Sequence, residues 1–554
     1  MAEAIPAMVG NQPILILKEG STRTKGREAQ RANIMAAKVV AEVVKSSLGP
    51  KGMDKMLVDG IGDVTITNDG ATILDEMEIQ HPAAKMMVEV AKTTDKEVGD
   101  GTTSATILAG ELLKKAEDLL DKNIHPTVIV DGYMKAAEQA LEILDKIAIP
   151  VQPDDKVTLK KIASTAMASK ALSEGREHLS SLVVDAVLRV AEKSDGQYKV
   201  DLGNIKVEKK SGGSVNETRL IEGIALDKEV VHPDMPRRVE NAKIALLSCS
   251  LEIEKTEFDA KLNIETPEQM KAFLDEETAM LKSMVDKIAD AGANVAICQK
   301  GIDDIAQHFL SKRGILTVRR VKESDMEKAA KACGGKVVNN LDDLTATDLG
   351  FAKLVEERKL GEDKWLFVEG CKNPRSLTLL VRGGTDKVVD EAERSIHDAL
   401  CVVKDVIHKP KIVAGGGAPE VEVSSELRRW ADKLSGREQL AVQAFAEALE
   451  VIPISLAENA GLEPIDIIAE LKSRHENGEL WAGVDPLGGC VKDMSKLDVW
   501  EPLAVKEQIV KSATEAATML LRIDDVVAAG KTKEPKEKEK APGSEGPETE
   551  GLGD

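Results

Sequence analysis

Aromatic residues make up only 2% of these 554 residues, while apolar residues as a whole reach 42%. Cores in this chain must therefore be packed from Ala, Val, Ile, Leu and Met. Positive charge is also in deficit: 75 Lys and Arg face 96 Asp and Glu, a formal net charge of −21. Such a chain repels phosphate backbones, and no basic stripe interleaved with aromatics is present, which argues against a nucleic-acid partner. The six cysteines, at 249, 298, 333, 371, 401 and 490, show no CxxC and no metal-ligand spacing. They read as packed thiols of a reducing, cytoplasmic setting. No run of about 18 apolar residues and no basic segment leading into an apolar one is present, which argues against a membrane span and a signal peptide. The eight histidines are scattered, with no HExxH pattern for zinc.

The standard nucleotide signatures are missing too. Gly530-Lys531-Thr532 resembles the end of a Walker A motif, but Asp525 occupies the slot of its first glycine. Gly415-Gly416-Gly417 fails the dinucleotide fingerprint because Glu420 stands where the last glycine belongs. A nucleotide, if bound, is bound in another way.

What is present is a set of three polar turns: Leu48-Gly49-Pro50-Lys51-Gly52-Met53-Asp54-Lys55, Asn68-Asp69-Gly70-Ala71-Thr72-Ile73 and Gly99-Asp100-Gly101-Thr102-Thr103-Ser104. The third opens an apolar-periodic segment, Ile107 to Leu120, so it sits at a helix start, where unpaired N–H groups and the positive end of the dipole attract anions. Gly99 and Gly101 allow close backbone approach, the three hydroxyls offer hydrogen bonds, and Asp100 suits Mg²⁺, a hard cation. Asp, Thr and Ser are equally the favoured residues of an ordinary helix cap, and this turn alone does not separate the two readings.

Length suggests three or four domains. Apolar residues at Ile34, Ala37, Ala41, Val44 and Leu48 mark one face of a helix from Arg27 to Leu48, ended by Gly49-Pro50. Strands are predicted at Lys55 to Val58 and Val64 to Thr67 around a turn at Asp59-Gly60, and helices over Ala83 to Lys96, Thr102 to Leu120 and Pro126 to Ile147. In the middle, Ile244 to Leu247, Val295 to Cys298, Ile315 to Val318, Trp365 to Val368 and Leu377 to Val381 read as strands among helices, an α/β layer. Helices return at Gln439 to Leu449 and Pro464 to Lys472. Helical ends thus flank an α/β centre, although nothing in the sequence shows that the ends pair. Residues 531 to 554 are too rich in Lys, Glu, Pro and Gly to offset chain entropy and are expected to be disordered.

The runs LGPKGMDKML, TNDGATI, HPAAK and VGDGTTS, in that order, then VAGGG at 413 to 417 and GREQLAVQAFAEALEVIP, resemble a group II chaperonin of the archaeal thermosome type, from about Ile14 to Val527. The resemblance implies an α+β multidomain chaperonin fold. A mostly helical equatorial domain would hold 1 to 155 and 413 to 530, and a small intermediate domain 156 to 225 and 377 to 412. An α/β apical domain would hold 226 to 376, with a lid-forming helical protrusion at about 252 to 284 carrying Phe258, Leu262, Ile264, Met270, Phe273 and Leu274. It implies an ATP-driven, Mg²⁺-dependent chaperone that encloses non-native polypeptides in a stacked double ring of identical or paralogous subunits. Pro13 to Leu17 resembles the strand that pairs with a neighbouring subunit.

The same resemblance gives Asp100 the metal and Leu48, Gly49, Pro50, Gly101, Thr102, Thr103, Ser104 and Gly416 the nucleotide. Lys170 would sense the γ-phosphate, Asp485, Glu501 and Lys506 would line the base and ribose side, and Asp69 and Asp398 would orient or activate water. Taken without it, Asp398 lies about 200° from the apolar stripe Val389, Ala392, Ile396, Ala399 and Val403, which predicts a solvated residue paired with Arg394. A metabolic ligase or kinase would need a second small-molecule site, for which there is no motif. A non-hydrolysing scaffold would lack Asp100 and Asp398.

Overall fold

The computed structural model describes residues 6–9, 12–15, 22–168, 175–194, 197–253, 266–371 and 375–528. Lys170, Phe258, Leu262, Ile264 and the tail from 531 lie outside the described residues.

The first predicted helix spans Gly26–Lys45 and buries Ile34, Ala37, Ala41 and Val44. It stops before Leu48 because Ser46 is its C-cap and the Ser47 hydroxyl turns back onto the Val44 carbonyl, 2.8 Å away. The hairpin Lys55–Val58 with Val64–Thr67 forms as expected. Its turn is wider than Asp59-Gly60 alone, since the Asp59 carboxylate accepts from the Ile61 and Asp63 amides. Helices follow at Pro82–Val98, Thr102–Asp121 and Pro126–Ile147.

These helices share one core with Ala418–Ala431, Arg437–Leu449, Val451–Ala460 and Leu503–Leu521 from the far end of the chain. Small residues let them close: the Cα of Gly110 lies against Ala41 and that of Gly132 against Ala441. Tyr133 and Phe445 meet edge to face, 5.7 Å between centroids, an aromatic pair in an otherwise aliphatic interior. Strands tie the ends as well, Lys411–Ala414 between Ile149–Pro150 and Trp500–Pro502, and Thr22–Lys25 with Asp525–Ala528. By length and composition Arg437–Ala460 would pass for a membrane span, but 78% of its apolar window is buried, as in a core helix.

The centre carries a 7-stranded sheet running Gly223–Leu226, Asp363–Glu369, Gly350–Leu360, Arg238–Leu247, Val295–Cys298, Leu316–Val318, with Val337–Val338 also on Arg238–Leu247. Its two faces form separate cores, one beneath Glu323–Cys333 and one beneath Pro267–Asp290 and Asp304–Lys312. Between this sheet and the helical core lie the Ile205–Ser211, Leu377–Gly383 and Arg219–Ile221 strands and the helices Lys156–Ala166, Arg176–Val190 and Asp386–His408. The mixed α+β architecture expected from the sequence is the one found.

Two expectations gain detail from the described residues. The Pro267–Asp290 helix buries Leu281, Val285 and Ile288 on the sheet, whereas Met270, Phe273 and Leu274 stay exposed, so the described part of the stripe is a helix with a free first half and an anchored second half. Of the expected Pro13 to Leu17 strand, 13–15 fall within Gln12–Leu15, which on one edge pairs antiparallel with Pro6–Val9 of its own chain, and 16 and 17 lie outside the described residues.

Candidate functional site

Gly99 ends the Pro82–Val98 helix with φ +68°, and Gly101 starts the Thr102–Asp121 helix with φ +79°. Both are conformations that side chains resist. A Cβ on Gly101 would stand 2.8 Å from Ile509, and one on Gly99 would collide with Cys401. The turn is thereby wedged between the Leu503–Leu521 and Asp386–His408 helices. No side chain caps the Thr102 helix. Asp100 instead bends onto the amide beside it, accepting from Gly101 N at 2.6 Å. With glycine as its N-cap, the helix has no side-chain cap from that position, and a helix start of this kind attracts anions.

The second turn is joined to the third. Asp69 caps the Gly70–Glu76 helix, Oδ2 accepting from the Thr72 amide at 2.9 Å and its hydroxyl at 2.8 Å. Its Oδ1 accepts from the Thr102 hydroxyl at 3.3 Å. Gly70 lies so close to Thr103 that a Cβ would sit 2.9 Å from the Thr103 backbone.

Asp398 is 8% exposed, not solvated, and Arg394 donates to Glu391 at 2.8 Å and to the Ile66 carbonyl. The helix carrying Asp398 is covered on both sides, by the core against its apolar stripe and by the Gly99 turn against Cys401. Asp398, Cys401 and Asp405 recur at steps of three and four, so they share this second face. Burial foremost, together with the charges of Asp100 and Glu97 and against the pull of Lys404, pushes the Asp405 carboxyl up to about 6. The sequence reading missed Asp405, and that 3-4 spacing of Asp, Cys and Asp was the available signal.

The other expected residues divide. The Leu48 carbonyl accepts from Asn459 Nδ2 at 2.8 Å, and Gly49, at φ +82°, packs on Leu456 before Pro50. Gly416, at φ +68°, leaves no room for a side chain beside Met494 and the Val484 carbonyl, and Val484 N donates to its carbonyl at 2.8 Å. Gly417, at φ +78°, then begins the Ala418–Ala431 helix, again without a side-chain cap. Asp485 is held by its own hairpin, accepting from the Leu487 and Gly488 amides and from Lys492 at 2.7 Å. Burial would raise its pKa, but Lys492 and the amides outweigh it and hold the carboxyl below its usual value. Lys506 is 5% exposed and lies between Glu420 at 2.8 Å and Glu501 at 2.6 Å, so its ammonium is spent inside the protein and not offered to a ligand. Two cavities, about 350 Å³ near Arg27 and Arg437 and about 400 Å³ near Lys45 and Arg428, involve none of these residues.

The family model of the TCP-1/cpn60 chaperonin family matches residues 40–531. The chain belongs to the TCP-1/cpn60 chaperonin family. It is 61% identical to the thermosome subunit alpha of Archaeoglobus fulgidus, over 97% of this chain and 98% of that one. It is 60% identical to a thermosome subunit of Pyrococcus horikoshii over the same shares, and 61% identical to one of Methanopyrus kandleri over 93% and 95%. The chaperonin is of the group II, thermosome type, and its activity is ATP-dependent protein folding.

Proposed function

We propose that ATP binds with its phosphates at the uncapped start of the Thr102 helix and that Asp100 carries Mg²⁺. The single observation behind this is the glycine-framed helix start with no cap of its own, set beside the buried Asp398. Among the described residues no three of His, Cys, Asp and Glu gather to hold a metal alone. That donor set fits Mg²⁺, which takes one or two carboxylates and completes its shell with phosphate oxygens and water. The metal ion, when bound, neutralises charge on the transferred phosphoryl group. The chain's own part is to orient: the Gly101 to Ser104 backbone holds the phosphates, Asp69 ties two turns together through Thr102, and Asp398 accepts a proton from, or aligns, the attacking water. Asp398→Ala should abolish Mg²⁺-dependent ATP hydrolysis while nucleotide binding persists; normal turnover in that variant would overturn the assignment.

The equatorial, intermediate and apical boundaries at 155, 225, 376 and 412 belong to the same proposal, as does a cytoplasmic setting, which six free thiols suit. Non-native polypeptides are captured by exposed apolar surface, for which Met270, Phe273 and Leu274 are candidates. Identical or paralogous subunits assemble into a stacked double ring. The Lys55–Thr67 hairpin supports such assembly, because Met56, Val58 and Ile61 are exposed on a two-stranded sheet with open edges, which a neighbour's strand would cover.

A further inference from the structure

The cavity of about 350 Å³ beside the start of the Gly26–Lys45 helix is bordered by Arg27, Arg31 and Arg437, in a chain whose formal net charge is −21. Its two acidic walls are already neutralised, Glu117 by Lys38 at 3.0 Å and Asp121 by Arg31 at 2.8 Å. Arg27 donates to an amide oxygen, that of Asn123 at 2.8 Å, and pairs with no carboxylate among the described residues. Arg437 has neither a hydrogen-bond nor an ion-pair partner among them. It also stands at the wrong end of its helix. Arg437 is the first residue of Arg437–Leu449, behind a glycine N-cap, where the dipole favours an anion and a cation costs stability. Glu438, next to it, is taken by Lys135 at 2.6 Å. Two guanidinium charges thus border one cavity without a carboxylate to balance them, and the guanidinium fork matches a carboxylate through two parallel hydrogen bonds.

The chain carries suitable carboxylates of its own. Residues 541–554, outside the described residues, hold Glu545, Glu548, Glu550 and Asp554 and no Lys or Arg. They are tethered beside the cavity. The last described strand, Asp525–Ala528, pairs with Thr22–Lys25, and Gly26 N, one residue before Arg27, donates to the Asp524 carbonyl at 2.6 Å. Ala528 stands across from Thr22, which lies five residue steps, about 17 Å, from Arg27. The 13 residues from 529 to 541 can span up to about 43 Å, so the acidic segment reaches the cavity with chain to spare. A segment tethered at this range has a high effective concentration, and ion pairs that are weak individually suffice to seat it. We propose that the acidic segment 541–554 docks in this cavity of its own chain, its glutamates pairing with Arg27 and Arg437.

The test uses the full-length assembled chain and phenylglyoxal, which modifies accessible guanidiniums, with the rate at each arginine read by mass spectrometry of peptides. Arg320, exposed just after the Leu316–Val318 strand, serves as the reference. At low salt, Glu545→Gln with Glu548→Gln and Glu550→Gln should speed modification of Arg27 and Arg437 by about threefold, as the loss of one or two exposed ion pairs implies, and leave Arg320 unchanged. About 0.5 M NaCl should bring the unaltered chain to the rate of the variant, because screening weakens exposed pairs. In the reverse direction, Arg27→Gln with Arg437→Gln should speed cutting at Glu545 to Glu550 by a glutamate-specific protease by a similar factor. Equal phenylglyoxal rates in the two chains overturn the proposal, whether both are fast, as for an open cavity, or both slow, as for one covered by a neighbouring subunit. Slowing by added inorganic phosphate without a difference between the chains would make the cavity a site for free anions and overturn it as well. Unchanged proteolysis in the arginine variant does the same.

Discussion

Asp405 is a buried carboxylate whose burial makes its own contribution to stability depend on pH. Its Oδ2 meets no hydrogen-bond partner among the described residues, and it titrates near 6 where an ordinary aspartate titrates near 3.8. Between those values the folded chain binds the proton more tightly than the unfolded chain. Stability is therefore lost as pH rises from about 4 to about 6, and it stays lost above, by at most about 3 kcal/mol. Asp405→Asn should raise the thermal midpoint of unfolding at about pH 7.5 and leave it nearly unchanged at about pH 4. An equal shift at both pH values would point to packing and remove the electrostatic account. Asp405 was passed over because a charge on the far side of an amphipathic helix normally faces water, and its 3-4 spacing from Asp398 and Cys401 was the one sign of a second buried face. Asp398 was misjudged from residues alone for the same reason, since helix periodicity says which face is apolar and not whether the other face is covered.

The Pro267–Asp290 helix makes the corresponding point for an element. Its apolar residues were legible in the sequence, and the structure adds the start, where Thr266 and Gln269 close a capping box around Pro267. Where the helix ceases to touch the protein was not legible, because Met270 and Leu281 are equally apolar letters. The structure separates them: Leu281 is 1% exposed and Leu274 is 52% exposed. Phe273→Ser with Leu274→Ser should weaken capture of a denatured test protein and leave the unfolding midpoint unchanged. Leu281→Ala should do the reverse, costing about 2–5 kcal/mol as a cavity in the core beneath this helix. Light scattering of aggregating substrate and thermal unfolding distinguish the two, and loss of capture in both variants would end the division of labour along this helix.

For the whole molecule, the exposed hairpin suits an assembly better than a lone subunit. Ile61, at the hairpin tip, is 87% exposed. Ile61→Lys with Met56→Lys would place charge on the edge that a neighbour covers, so the mass of the particle should fall toward that of the 59.6 kDa chain. ATPase turnover should fall with it if neighbours complete the working subunit, and an unchanged particle mass would free the hairpin from any part in assembly.

Much of the design was written locally. Periodicity fixed the helices and strands because each needs only neighbours along the chain: 3.6-residue spacing for the Pro126–Ile147 helix, a short apolar run for Val295–Cys298. Gly99, Gly101, Gly416 and Gly417 announced tight backbone, since glycine adopts positive φ without the cost a side chain brings. What only the tertiary structure decided depends on long-range approach. The two ends of the chain meet in one core, which puts Asp398, the Gly99 turn and the Leu503–Leu521 helix together across some 400 residues. The same meeting turns Lys506 inward between Glu420 and Glu501. Burial is the physical reason for the difference: a residue's type sets what it can do in water, and only the packing of distant segments determines whether water is there.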